Sequence, residues 1–226
     1  MSLFKFLKKN KLNYEEQLFN NNVVDNFKGN IKILVIADTH GDLFLSSELQ
    51  SKLKNIKEYD ICCILGDIHE KDYQIILNLV PKNKIVSLLG NHDKENLISD
   101  LGLNNLNGNV IEINGIRIGG IQGSYKYKDE EFPSFTHQES IKFCKKMPKV
   151  DILISHDKPF VFDYHDPVHD GLKGITKYLY KNNVPINIHG HVHKSYESNL
   201  MNGTKVKGVY LIEVIEIFDG NIKKIS

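Results

Sequence analysis

Arginine is nearly absent from this chain. Lysine and arginine together number 29 against 28 aspartates and glutamates, and the one arginine is Arg117. A planar guanidinium fork for gripping an oxyanion is thus available at one position at most. The near balance of charge leaves no overall field to attract nucleic acid or an anionic membrane, so any nucleic-acid role has to come from a site. Cysteine is scarce as well: of the three, Cys62 and Cys63 are neighbours in an apolar run and Cys144 stands alone. Neighbouring strand residues point to opposite faces, so Cys62 and Cys63 make no disulfide, no secreted-type framework exists, and a reducing cytoplasm is expected. No apolar run approaches the length of a transmembrane helix. The first thirty residues hold Leu3, Phe4, Phe6 and Leu7 among Lys5, Lys8, Lys9 and Lys11, too short and too interrupted by lysine for a signal peptide.

What is present is an ordinary globular composition, 41% hydrophobic and 25% charged over 226 residues. That suffices for one domain with one sizeable core. The division expected is an arm over 1–30, helical in character, followed by a domain over 31–226. The arm reads either as a basic amphipathic segment at a membrane surface or as a helix laying Leu3, Phe4 and Leu7 on the domain or on a second subunit, and the second reading is preferred. A homo-oligomer is compatible with it.

The chain is organised around Ile31 to Gly41, where an aliphatic run stops at Asp38, Thr39 and His40. A near-continuous apolar run marks a strand buried on both faces. Open α/β sheets bind ligands past the carboxyl ends of their strands, which is where Asp38 and His40 fall. With i, i+2 spacing in extended chain, both side chains lie on one side of the backbone. Taken alone, Asp38 as the cap of a following helix, with His40 incidental, explains the pattern as well.

Repetition decides between these. Asp60 to Leu65 ends in Gly66-Asp67, and Lys84 to Leu89 ends in Gly90-Asn91-His92-Asp93. Asp151 to Ser155 ends in His156, and Ile186 to Ile188 runs into His189-Gly190-His191-Val192-His193. Each apolar strand delivers a nitrogen or oxygen donor at the same end. Between strands, helices are expected over Leu43–Ile56, Asp72–Val80, Glu95–Leu101, Thr136–Met147 and Gly171–Lys181. Asn114-Gly115 predicts a hairpin joining 109–113 to 116–120, and Asp219-Gly220-Asn221 a last hairpin after alternating runs over 205–218. Gly102 to Gly108 reads as a turn. The fold class is α/β, with two mixed β-sheets packed face to face and helices outside.

The blocks D-x-H, G-D, G-N-H-D, a lone H and G-H-x-H, in that order over Ile31 to His193, resemble the calcineurin-like metallophosphoesterases. The resemblance implies one metal on Asp38, His40 and His193, a second on Asn91, His156 and His191, and Asp67 as the bridge. It implies His92 as the acid beside the reacting phosphate, so that His92 and Asp67 are the candidate catalytic residues. Imidazole, carboxylate and amide-oxygen donors together suit two divalent transition ions from among Mn, Fe, Zn, Co and Ni.

Phosphoprotein phosphatases of this superfamily carry an arginine before G-N-H and Asp-Arg-Gly after G-D; here Leu89 and Glu70-Lys71-Asp72 stand there. The chain is closer to the phosphodiesterase branch, and a small phosphoester or nucleotide diester is the expected substrate. A phosphomonoesterase or protein phosphatase, and a non-catalytic metal-bound scaffold, are the alternatives. Two loops are expected to open on the metal face, Gly123–Lys128 and Lys158–Asp170. In them His165 and His169 read as loop histidines before extra ligands, and Tyr125 and Phe162 as loop anchors before stacking platforms for a ring.

Overall fold

The computed structural model describes residues 24, 27–127, 132–161 and 169–225. Residues 1–23, Phe162 and His165, for which the sequence sets expectations, lie outside them. In chain order the elements are β1 (Asn30–Ala37), α1 (Asp42–Leu45), α2 (Ser47–Asn55), β2 (Ile61–Ile64), α3 (Glu70–Leu79), β3 (Ile85–Ser87), α4 (Leu97–Asp100), β4 (Asn104–Asn105), β5 (Val110–Ile113) and β6 (Ile116–Ile121). There follow β7 (Ser124–Tyr125), β8 (Ser134–Phe135), α5 (His137–Cys144), β9 (Ile152–Ser155), α6 (Lys173–Asn182), β10 (Ile186–His189), β11 (Tyr196–Asn199), β12 (Lys205–Gly208), β13 (Leu211–Phe218) and β14 (Asn221–Lys224).

These strands make two mixed six-stranded sheets, in the orders β14-β13-β1-β2-β3-β4 and β11-β12-β10-β9-β6-β5, plus a two-stranded piece, β7-β8. β1 is apolar throughout because both its faces are covered. Ile31, Ile33, Val35 and Ala37 point into the space between the sheets, against Ile152, Ile154, Ile186 and Ile188 of the second sheet. Leu34 and Ile36 point the other way, into a layer with Leu53, Tyr73 and Ile76 of the helices. Cys62 and Cys63 divide between the same two layers, as their adjacency predicts, and all three thiols are free. Behind the second sheet Leu153 and Ile121 pack on Ile175, Leu179 and Cys144 of α5 and α6. The result is helix, sheet, sheet, helix. Packing begins ahead of residue 31, since Phe27 is buried in the inter-sheet core.

Several local expectations are corrected. The helix read over 43–56 is two, because Ser46 is extended and its hydroxyl oxygen accepts the Leu49 N–H at 3.2 Å. The segment 205–218 crosses from one sheet to the other: β12 pairs with β10 and β11, whereas β13 pairs with β1 and β14. Alternation alone carries no information on which sheet a strand joins. The turn read over 102–108 contains β4, a short edge strand on β3. The hairpins at Asn114-Gly115 and Asp219-Gly220 form as expected. No helix among the described residues is long and apolar enough to cross a membrane.

Glycine is required where two ligand loops touch. A Cβ on Gly66, whose φ is +102°, would stand 2.2 Å from the Gly90 amide nitrogen. A Cβ on Gly115, φ +78°, would meet nothing within 4 Å. Gly66→Ala is expected to lose roughly 2–5 kcal/mol in urea unfolding, the left-handed strain plus the clash, and Gly115→Ala only about 1–2 kcal/mol. Equal losses would contradict the close approach of the two loops.

Candidate metal centre

Five loops at the carboxyl ends of β1, β2, β3, β9 and β10 meet at one place. Asp38, His40 and His193 form one group and Asp67, His156 and His191 another, with the candidate ligand atoms within each no more than 4.8 Å apart. Asn91 joins the second, its Oδ1 3.0 Å from His156 Nε2. Asp67 Oδ2 lies between the two groups, 3.7 Å from His40 Nε2 and 3.6 Å from His156 Nε2. All seven residues expected as ligands are thus brought together. His92 is alongside, its ring 5.6 Å from that of His40, and it is exposed.

The backbone geometry differs from the expected one. Asp38 and His40 are not in extended chain: their φ values are +54° and +46°. Asp67, His191 and His193 are left-handed too, at +55°, +65° and +52°. Each such residue costs about 1–2 kcal/mol, a strain stored where side chains must converge and offset elsewhere.

Three buried carboxylates that the sequence reading overlooked hold these turns. Asp72 of α3 accepts from the Thr39 hydroxyl at 2.6 Å and from the Gly41 and Phe44 amides at 2.8 and 2.7 Å. Asp93 accepts from the amides of Asp67, Ile68 and Gly90, clasping the G-D loop to the G-N-H-D loop. Asp157 accepts the Tyr125 amide at 2.9 Å and so fixes the loop after β6 beside His156. Asp93 follows His92 directly, and that adjacency was the one available signal. Tyr125 stacks on His137, with ring centroids 4.4 Å apart, and anchors its own loop. His169 lies at the edge of the centre, its ring 5.0 Å from that of His191.

Electrostatically the centre is built for cations. Asp38 Oδ1 and Asp67 Oδ2 are buried with no hydrogen-bond partner among the described residues, an arrangement that costs about 1–3 kcal/mol per neutral group and more for a charged one. Burial, then the charge of Asp67, pushes the Asp38 carboxyl well above its usual range. Burial would raise Asp67 too, but the His156 imidazole and the His92 amide outweigh it and hold it low. Burial brings His156 down to about 4, leaving a neutral ring with a lone pair to offer. His40 Nε2 and His193 Nε2 are 3.2 Å apart. Imidazole nitrogens facing orphaned carboxylate oxygens are donors in want of a positive centre, so the residues fit metal ions.

The profile of the calcineurin-like phosphoesterase family matches residues 31–195. The chain belongs to that family. Solved structures agree at the level of fold. A dimetal phosphatase from Danio rerio superposes with a TM-score of 0.60 at 12% identity, covering 88% of this chain and 96% of the other. The phosphopantetheinyl hydrolase of Mycobacterium tuberculosis gives 0.56 at 10% identity, covering 80% and 89%, and an archaeal phosphodiesterase 0.50 at 13%, covering 86% and 99%. No curated protein matches the chain.

One buried histidine of this phosphoesterase stands apart from the donor set. His189 is fully buried, its Nδ1 2.8 Å from the Gly190 carbonyl and its Nε2 2.8 Å from the Tyr196 hydroxyl. That pairing fits Nδ1 as donor and Nε2 as acceptor, and burial brings the ring down to about 3. A depressed histidine adds stability above its unfolded pKa of about 6.5, and that stability drains away as pH falls toward the folded value. The stability difference between wild type and His189→Gln, both metal-free, should shrink by about 1.4 kcal/mol per pH unit between pH 6 and 4. A difference independent of pH would contradict a neutral buried His189.

Proposed function

We propose that this phosphoesterase is a dinuclear metal-dependent phosphodiesterase acting on small diesters, nucleotide diesters among them. The observation that carries the choice of diester is the position of Arg117. It sits in β6 and pairs with Asp151 at 3.4 Å, just ahead of β9, at the end of that sheet opposite His156. No guanidinium therefore faces the described part of the centre. A phosphomonoester dianion gains much from such a fork, whereas a diester monoanion needs less.

On this reading Asp38, His40 and His193 would hold one ion, Asn91, His156 and His191 the other, and Asp67 would serve both. The mixed donor set suits Mn, Fe, Zn, Co or Ni. Two such ions, when bound, supply a nucleophilic water at neutral pH and stabilise charge on the phosphoryl group. The protein's own part begins with Asp67, whose Oδ1 accepts the His92 amide at 2.8 Å and whose Oδ2 is left for the ions. Asn91 turns toward His156 while His92, one residue on, turns out beside His40. From there the His92 imidazole hydrogen-bonds a phosphoryl oxygen or protonates the departing alkoxide. The catalytic unit is residues 31–226, preceded by an arm, and three free thiols suit a reducing cytoplasm.

The test is a substrate panel with two proteins. Metal-loaded wild type should turn over bis-p-nitrophenyl phosphate and cyclic nucleotides faster than p-nitrophenyl phosphate or phosphoserine peptides; the reverse order would make the enzyme a monoesterase. His92→Ala should retain both ions and lose about 10²–10⁴-fold on alkoxide leaving groups but far less on nitrophenolate, which leaves without a proton. Loss of metal in that variant would make His92 a ligand instead.

A further inference from the structure

The two groups of the centre are held unequally. In the second, His156 and Asp67 are all but inaccessible, with side-chain exposures of 0% and 1%, and His156 Nδ1 is locked to the Leu65 carbonyl at 2.8 Å. In the first, the side chains of His40 and His193 are 35% and 47% exposed. Ligating histidines are ordinarily oriented by a hydrogen bond to the second ring nitrogen. Among the described residues, the hydrogen bonding found for the His193 ring is its approach to His40. Its flat neighbour is Tyr210, stacked at 5.3 Å between centroids and 23° between planes.

Tyr210 is itself fixed in place. It lies in the crossing from β12 to β13, between the two sheets' strands, and the next residue, Leu211, is left-handed at φ +64° opposite Ala37. The Tyr210 amide donates to the Ser195 hydroxyl oxygen at 3.2 Å. Glu213, 1% exposed, is flanked by Lys224 at 2.9 Å and by Lys207 at 3.0 Å. A buried ion pair thus ties β12 to β13 on either side of the crossing, Ser195 holds the Tyr210 backbone, and the Tyr210 ring braces His193.

We infer that Tyr210 is a positioning residue for the exposed metal group, setting the orientation of His193 and through it the affinity of the first ion alone. The inference rests on the dinuclear reading. An aromatic stack holds a ring's plane without using either nitrogen, so the Tyr210 ring does for His193 what the Leu65 carbonyl does for His156. Phenylalanine should serve as well as tyrosine, because the flat face acts and the hydroxyl does not.

The experiment is calorimetric titration of metal-free protein with Mn(II), with the Mn(II) electron paramagnetic resonance spectrum recorded through the titration, on wild type, Tyr210→Phe and Tyr210→Ala. Wild type should take two ions. Tyr210→Ala should bind one ion as wild type does and the other about 10–100-fold more weakly, with the spin-coupled signal of the pair delayed accordingly; Tyr210→Phe should match wild type. Tyr210→Leu, which keeps apolar bulk without a flat face, should show the same selective loss and serves if the alanine variant does not fold. Both ions bound normally in the alanine or leucine variant, both weakened alike, or phenylalanine failing as badly as alanine, would each overturn the role. Two ions in wild type with an unaltered variant would leave the dinuclear reading standing. Wild type binding fewer than two would remove both.

Discussion

The arrangement depends on one electrostatic constraint: two buried carboxylates, Asp38 and Asp67, are held near each other with an oxygen apiece left unpartnered. Burial raises the cost of charge on both, and the charge of Asp67 raises it further for Asp38. Backbone amides oppose this, together with the His156 imidazole beside Asp67. Asp38 Oδ2 takes the His191 amide at 2.8 Å and Asp67 Oδ1 takes that of His92. The remaining oxygens face imidazole nitrogens. A centre of this kind gains stability from positive charge, which links its folding to its chemistry.

The loops that present these groups are strained individually and restrained collectively. Left-handed residues at Asp38, His40, Asp67, His191 and His193 turn their side chains inward from strand ends that point past the site. Gly90 and Gly190 allow the crowding, since a Cβ on either would meet Asp67 Oδ1 at 2.1 Å or Asp38 Oδ2 at 2.6 Å. Asp72, Asp93 and Asp157 satisfy the amides that the turns expose. Rigid sheets supply the frame, and the carboxylates transmit that rigidity to the ligands.

Much of this was legible in the sequence, for physical reasons that also mark its limits. β1 could be read because burial on both faces leaves an unbroken apolar run, and the ligand loops because each such run ended in a donor. The two hairpins could be read from Asn114-Gly115 and Asp219-Gly220. Local residue preference does not encode partner choice, so the division of 205–218 between two sheets was not visible, nor were the short pieces β4, β7 and β8. Asp72 in a first helical turn looks like any acid favouring a helix N-terminus, and only the fold reveals that it is buried against Thr39 and Gly41. Tyr210 carried no signal, since its contact with His193 exists only after the chain has crossed between sheets.

The central claim is that Asp67 stands between two cations, and anomalous diffraction from crystals grown with Mn(II) tests it most directly. The account predicts two peaks, one bounded by Asp38, His40 and His193 and the other by Asn91, His156 and His191, with the Asp67 carboxylate touching both. A single peak, or two peaks of which Asp67 contacts only one, would contradict it.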